Sequence, residues 1–347
     1  MDREGQYQSS QAFSHIVPSE NESVNPNTAS LNYKTPLVQL RGVRPSIDLK
    51  LHMVYSFGTA GTFGLPPNWS LDLPYVLEGK SVTVGGRTYA IDPEWSDVTG
   101  YASGLKYMNN HGIKFQQVEP PQDLPSGLPG QYGFQLDQVD GSRDYFDVYG
   151  KPLEHRDVYD NFIYYSYQLG AESGVGDQSV LMDFIQDSWG QKIQFGYQDG
   201  SEFVLTLPDG SSTTFVFSED GILSIQDPAG LSTVFEYVPF VGNQGWKVLS
   251  SITYPTGLTS RYEYGAVQYL DGNKSSKYMP MVTDHYDLDP EDNIYSHTAY
   301  NLGGFSGGNT YTGAAIGLSM AGATDTLMDG DGKALTYRYA FVPYACL

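Results

Sequence analysis

The chain has 347 residues, a formal net charge of -21, and one cysteine, Cys346. So acidic a surface repels phosphate, which argues against nucleic acid and anionic membranes as partners and leaves basic partners open. A single cysteine excludes an intramolecular disulfide and a cysteine zinc site, so a disulfide framework is ruled out although secretion is not.

The 28 Tyr, 39 Gly and 20 Pro suit short strands joined by many turns, because aromatic side chains fit a pleated, half-buried surface. Helices favour Ala, Leu, Glu and Lys instead. Residues 1–27 ("MDREGQYQSSQAFSHIVPSENESVNPN") are polar, without period and without an apolar signal core, and are expected to form a loose leader. Export would need another route, or a start that lies upstream. Nowhere does an apolar run approach the roughly 20 residues of a membrane helix.

Strand signals begin at Leu31 with "LNYKTPLVQL". "IDLKLHMVYS" (47–56) and "WSLDLPYVL" (69–77) each alternate apolar and polar residues, the pattern of a half-buried strand. "SVTVGGRTYAID" (81–92) reads as a hairpin around Gly85-Gly86, which can supply the positive φ of a two-residue turn. Residues 93–130 are mixed, and "VEPPQDLPSGLPG" (118–130) reads as a Pro/Gly loop. From 131 onward short strands alternate with turn signals; residues 313–323 offer the one candidate for a short helix.

A frame recurs from Asp187: Asp, two residues, Gly, four residues, aromatic, one residue, aromatic. It occurs at Asp187, Gly190, Phe195, Tyr197; at Asp227, Gly230, Phe235, Tyr237; and at Asp329, Gly332, Tyr337, Tyr339. With Tyr254 in first place it occurs at Gly257, Tyr262, Tyr264, and residues 207–217 keep the Gly and the aromatics. Asp and Gly make the turn. Aromatics two apart then share one face of the next strand. Tyr197, Tyr237, Tyr264 and Tyr339 are therefore expected on strands and largely buried. "HRDVYDNFIYYSY" (155–167) opens like a kinase catalytic loop, but Asn161 arrives one residue early and the other kinase motifs are missing. It reads instead as a degenerate copy of the frame, with Asp160 in the Gly place and Tyr165 and Tyr167 in the aromatic places.

This frame resembles the YD repeat of the RHS family. The opening "NPNTASLNYKTPLVQLRG…SIDLKLHMVYS…NWSLDLPYVLEGKSVTVGGRTYAID" and the stretch "KYMPMVTDHYDLDPEDNIYSHTAYNLGGFSGGN" resemble the N-terminal part of RHS proteins such as the C-type components of insecticidal toxin complexes. The chain departs from the family at Pro66-Pro67-Asn68-Trp69, where Gly-x-Gly-Trp is usual, and in the mostly missing Arg-Leu after the repeat Gly. The resemblance implies an all-β fold of antiparallel hairpin repeats, an elongated curved strip that forms part of a hollow shell around a toxic cargo. It implies a secreted protein, cytoplasmic before release. The family's self-cleaving core lies beyond this chain, so no catalytic residue is carried over.

Three motifs invite chemistry. "GFSGG" (304–308) matches a nucleophile elbow, but the last His, His297, precedes Ser306, and the surroundings read as a glycine loop. "GKS" (79–81) lacks the phosphate loop's earlier Gly and leads into a strand. "DHYDLDPEDN" (284–293) is carboxylate-rich without EF-hand order and reads as a solvated acidic loop. The expectation is a non-catalytic wall segment without cofactor or metal: 1–27 leader, 28–130 opening hairpins, 131–347 repeats. The alternatives are a carbohydrate- or protein-binding β-module using exposed Tyr and Trp faces, and a hydrolase at Ser306. The apolar end "YRYAFVPYACL" (337–347) is the opposite of a polar cap, so further repeats or a partner chain are expected to cover it.

Overall fold

The computed structural model describes residues 21–24, 30–40, 49–59, 61–85, 87–92, 104–105, 113–168, 173–175, 177, 180–198, 201–240, 245–270, 276–301, 322–328 and 334–339. As expected, these residues are all-β and antiparallel, and no helix occurs among them. The first strands are β1 (Glu22–Val24), β2 (Leu31–Leu40), β3 (Leu49–Ser56), β4 (Trp69–Leu71), β5 (Tyr75–Leu77), β6 (Ser81–Val84), β7 (Arg87–Asp92) and β8 (Gly104–Leu105). Then come β9 (Lys114–Asp123), β10 (Gln131–Asp137), β11 (Arg143–Phe146), β12 (Pro152–Arg156), β13 (Phe162–Tyr167), β14 (Met182–Asp187), β15 (Lys192–Gln198), β16 (Glu202–Thr206) and β17 (Ser212–Ser218). The rest are β18 (Gly221–Gln226), β19 (Ser232–Pro239), β20 (Lys247–Thr253), β21 (Thr259–Leu270), β22 (Ser276–Leu288), β23 (Ile294–Asn301), β24 (Gly322–Met328) and β25 (Ala334–Tyr339).

Strands β1 to β4 and β5 to β8 form two small sheets, each in chain order, and β9 to β25 form a long antiparallel sheet, again in chain order. The long sheet is not closed into a barrel. The chain divides into two compact units. One comprises Thr35–Val54 and Thr59–Phe215; the other comprises Met1–Lys34, Tyr55–Gly58 and Val216–Leu347. The division falls inside β17.

In the Thr59–Phe215 unit, β5 and β6 bring Val76 and Val82 into a core with Phe115, Phe134, Leu136 and Phe146. A second cluster joins Val118, Leu124, Tyr132, Tyr145, Leu153 and Tyr164. Phe203 and Phe215 stack with centroids 4.1 Å apart. In the other unit Tyr33 meets Phe235 edge-on, and Phe57 meets Trp246.

Three readings of the sequence are corrected here. "WSLDLPYVL" is not one strand: β4 and β5 belong to different sheets, broken by a tight turn in which Leu73 N–H donates to Leu71 O just before Pro74. The segment 118–130 is not all loop. β9 continues to Asp123 because its prolines fall in a register interruption, between Gln117↔Phe134 and Gln122↔Tyr132, where no ladder donor is needed. The leader is broken by β1, which pairs Glu22 with Tyr33 and Val24 with Leu31. By contrast, "IDLKLHMVYS" yields β3 with alternating burial, and Val84↔Arg87 closes the two-residue turn that holds Gly85 at φ 55°.

Candidate functional site

The repeat positions assemble into one local device. Asp187 N–H donates to Gln191 O at 3.1 Å and Gly190 N–H donates to Asp187 O at 3.0 Å. Gly190 sits at φ 83°, left-handed backbone that glycine enters without penalty. The Asp187 carboxylate then accepts the N–H groups of Trp189 and Gln191, both at 2.9 Å. The same pattern holds Asp227 against Gly230, Ala229 and Leu231. Where Tyr254 takes the first place, Gly257 still donates to its carbonyl, and Thr256 Oγ1 stands in as acceptor for Leu258 N–H.

The kinase-like triplet resolves here as strand and turn. His155 and Arg156 end β12 and Asp157 opens the turn. Asp157 accepts the N–H groups of Tyr159 and Asn161, and Asp160 takes the glycine place at φ 65°. His155 Nδ1 lies 2.7 Å from the buried Asp144. Burial pulls the imidazole pKa down, but the hydrogen bond and charge of Asp144, with Asp140 and Asp157 nearby, outweigh it and the net shift is upward. Arg156 binds Glu154 at 2.9 Å and Asp160 at 3.0 Å. These groups fasten a hairpin.

Two more turns of this kind were not read from the sequence. They are Asp147 to Lys151 and Asp289 to Asn293, each with an Asp accepting N–H groups two and four residues on. The acidic stretch 284–293 is thus not a simple solvated loop. Asp289 builds a turn, Asp284 lies 2.8 Å from His297, and Asp287 is buried.

Each frame's aromatics divide the work. The first ring is buried: Phe195, Phe235, Tyr262 and, in the degenerate copy, Tyr165. The second is half-buried in Tyr197, Tyr237 and Tyr264, less covered than expected. The cause is its hydroxyl, which reaches across to the neighbouring strand fifteen residues back. Tyr167 donates to Pro152 O at 2.7 Å, Tyr237 to Ile222 O at 2.8 Å and Tyr264 to Leu249 O at 2.6 Å. Tyr197 accepts from Met182 N–H at 3.2 Å and donates to Phe63 O. Each target lies just past the last paired residues of its hairpin: Ser251↔Arg261 ends one ladder and Ser224↔Val234 another. The tyrosine therefore occupies a backbone partner's place where the strands part. In three frames it also marks a register shift toward the following strand, at Ser166/Tyr167, Glu236/Tyr237 and Glu263/Tyr264. Burial raises the hydroxyl pKa well above its ordinary value in Tyr167 and Tyr264, and raises it in Tyr197.

Tyr337 and Tyr339 lie on β25. Asp329, Gly332, Ser306, most of 313–323 and the end 340–347 lie outside the described residues. Lys80 sits in the turn between β5 and β6 and pairs with Glu78, and Ser81 begins a strand. Among the described residues no three His, Cys, Asp or Glu side chains are arranged to hold a metal, and no helix is long and apolar enough to cross a membrane. Large exposed aromatics gather at turns: Tyr149, Tyr159 and Trp189 follow the turn aspartates by two residues.

Sequence reasoning missed one buried polar cluster altogether. Glu22 on β1, Ser260 and Tyr262 on β21, and His285 and Asp287 on β22 are all buried and mutually in contact. No local pattern could have found it, since Glu22 is 238 residues from Ser260. No protein-family model matches this chain, and no curated protein matches it.

Proposed function

We propose that this chain is a non-catalytic wall segment of an RHS-type shell that encloses a toxic or effector cargo. The observation that carries the reading is the repeated turn-and-tyrosine unit, in which each hydroxyl closes a gap between strands of its own sheet. Such a unit commits its aromatic residues to the sheet and leaves them no ligand. The partners of this reading are further repeats or a second chain along the sheet, and the cargo inside. Its setting is the extracellular space after release, and it uses no cofactor. The test is protease protection in the full coding product. A wall predicts that a downstream segment resists digestion until the shell is opened by denaturant. A segment cut at the same rate with and without the shell would end the proposal.

A second reading, a carbohydrate-binding β-module, draws on Tyr159 and Trp189, which are 73% and 60% exposed. Both sit on turns that open at the same edge of the sheet, since β12–β13 and β14–β15 are hairpins two strands apart. Aromatic faces presented this way can stack on sugars. Glycan titration monitored by tryptophan fluorescence separates the readings. Saturable binding lost in Trp189→Ala favours the module, and its absence favours the wall.

A further inference from the structure

Strand β1 is three residues long, and of its side chains only that of Glu22 is buried. An edge strand of this size would ordinarily be anchored by an apolar side chain. Here the anchor is a carboxyl, 5% exposed, pressed among polar groups. Its Oε1 lies 3.1 Å from Ser260 Oγ, and its Oε2 receives the Tyr262 hydroxyl. His285 Nε2 lies 3.2 Å from Asp287 Oδ1 and 3.8 Å from Glu22 Oε2, with its ring stacked on Tyr262 at 4.9 Å. From β23 the phenol of Tyr295 feels both carboxylates and is pushed up to about 12, mainly by burial. From β2, Tyr33 stands opposite Glu22 and packs edge-on against Phe235. Two carboxyls thus share one imidazole in a dry site. With both ionised, a full negative charge would remain uncompensated even beside an imidazolium, and burying it is costly.

We propose that Glu22 is a proton-controlled clasp that fastens strand β1 onto β21 and β22 in acid and releases it as the solution becomes neutral to alkaline. Beside its pairing with β2, β1 meets β21 and β22 through Glu22, its one buried side chain, and the sign follows from linkage. Burial pushes Glu22 up to about 7 from its ordinary 4.5; the charge of His285 and the Ser260 hydrogen bond oppose the rise, and the charge of Asp287 adds to it. Between those two values docked Glu22 holds a proton that the released strand lacks. Docking is therefore strongest below 4.5 and weakens as pH rises toward about 7, by up to about tenfold per pH unit.

The test is hydrogen exchange of the full chain, read by mass spectrometry at pH 5 and pH 8 after correction for intrinsic rates. Protection of the segment 21–24 is expected to fall at least tenfold from pH 5 to pH 8, while the β14–β15 hairpin keeps its protection. Glu22→Gln, which keeps the side chain's shape and one accepting oxygen without the titration, should be protected equally at both. Ser260→Ala removes a bond that favours the ionised form and should move the loss to higher pH. Equal wild-type protection at the two pH values would overturn the proposal, as would a wild-type pH dependence persisting in Glu22→Gln. If Glu22→Gln loses its near-UV circular dichroism, the Ser260→Ala midpoint decides: an upward shift supports the clasp and an unmoved midpoint overturns it.

Discussion

Removing one oxygen from Tyr264 tests whether the tyrosine hydroxyls act as parts of the sheet. Leu249 is fully buried, and its backbone faces the side of β20 on which pairing with β21 has ended. Its N–H donates to the Tyr55 hydroxyl at 3.1 Å and its carbonyl accepts from the Tyr264 hydroxyl at 2.6 Å. Two phenols thus replace a missing strand. Tyr264→Phe keeps the ring and leaves the carbonyl without that donor, which costs about 1–3 kcal/mol. For a unit of this size each kcal/mol moves the melting temperature by about 2–4 °C, so a loss of roughly 2–12 °C is expected. Tyr264→Ala also loses the ring and should cost more, up to about 3–5 kcal/mol. Tyr159→Phe removes the hydroxyl of a tyrosine that is 73% exposed and should change stability by less than about 0.5 kcal/mol. Scanning calorimetry of the three variants decides the matter. If Tyr264→Phe melts with the wild type, the carbonyl does not depend on the phenol and the tyrosine unit is incidental.

The glycines give a paired test. A Cβ on Gly150 would lie 2.0 Å from Val76 O, whereas a Cβ on Gly190 would meet open space, and both residues have positive φ. Gly190→Ala should therefore cost about 1–2 kcal/mol of backbone strain, and Gly150→Ala clearly more in the same urea titration, because it also pushes β5 away. Asp160→Gly should be neutral or stabilising by up to about 1 kcal/mol, since it relieves φ 65° and gives up only a bridge to an exposed carboxylate. Asp187→Ala strips an acceptor from two N–H groups and should destabilise by about 2 kcal/mol, measured the same way. In alkali the buried phenols matter. Burial pushes Tyr55 up to about 12 and Tyr264 well above its ordinary value, so the folded state keeps protons that the unfolded chain releases near 10. Stability from these groups is complete below pH 10 and falls as pH rises through the folded values. Absorbance at 295 nm should show a class of tyrosines ionising only together with unfolding.

Much of the fold could be read because its signals are local. Asp and Gly at fixed spacing define turns whose hydrogen bonds span four residues, and the alternation in β3 spans eight. Asp160 was legible as a glycine substitute for the same reason. The prolines of β9 misled because a ladder tolerates proline wherever register slips, and the slip depends on what β10 places opposite. "WSLDLPYVL" misled because alternation cannot tell whether one strand continues or two strands of different sheets follow each other. The tyrosine pairing was half-visible: the aromatic spacing shows in the sequence, while the carbonyl fifteen residues back becomes a target only once the hairpin is aligned. The Glu22 cluster joins three distant segments, and no window short enough to scan contains it.

Pairing only between chain neighbours has a kinetic side. Every strand of the long sheet finds its partner within the next turn or loop, so the cost of closing that loop does not grow with the number of strands. Rates for β-proteins are usually slowed by distant pairings. A sheet laid down in chain order avoids that delay and can form hairpin by hairpin as the polypeptide leaves the ribosome, each new pair built on an edge already in place. The few distant bonds, such as Leu249 to Tyr55 and Ser260 to Glu22, come last in such a sequence. Tyr55 and Glu22 then wait for β20 and β21, and make these bonds only after the strands between them have been laid down.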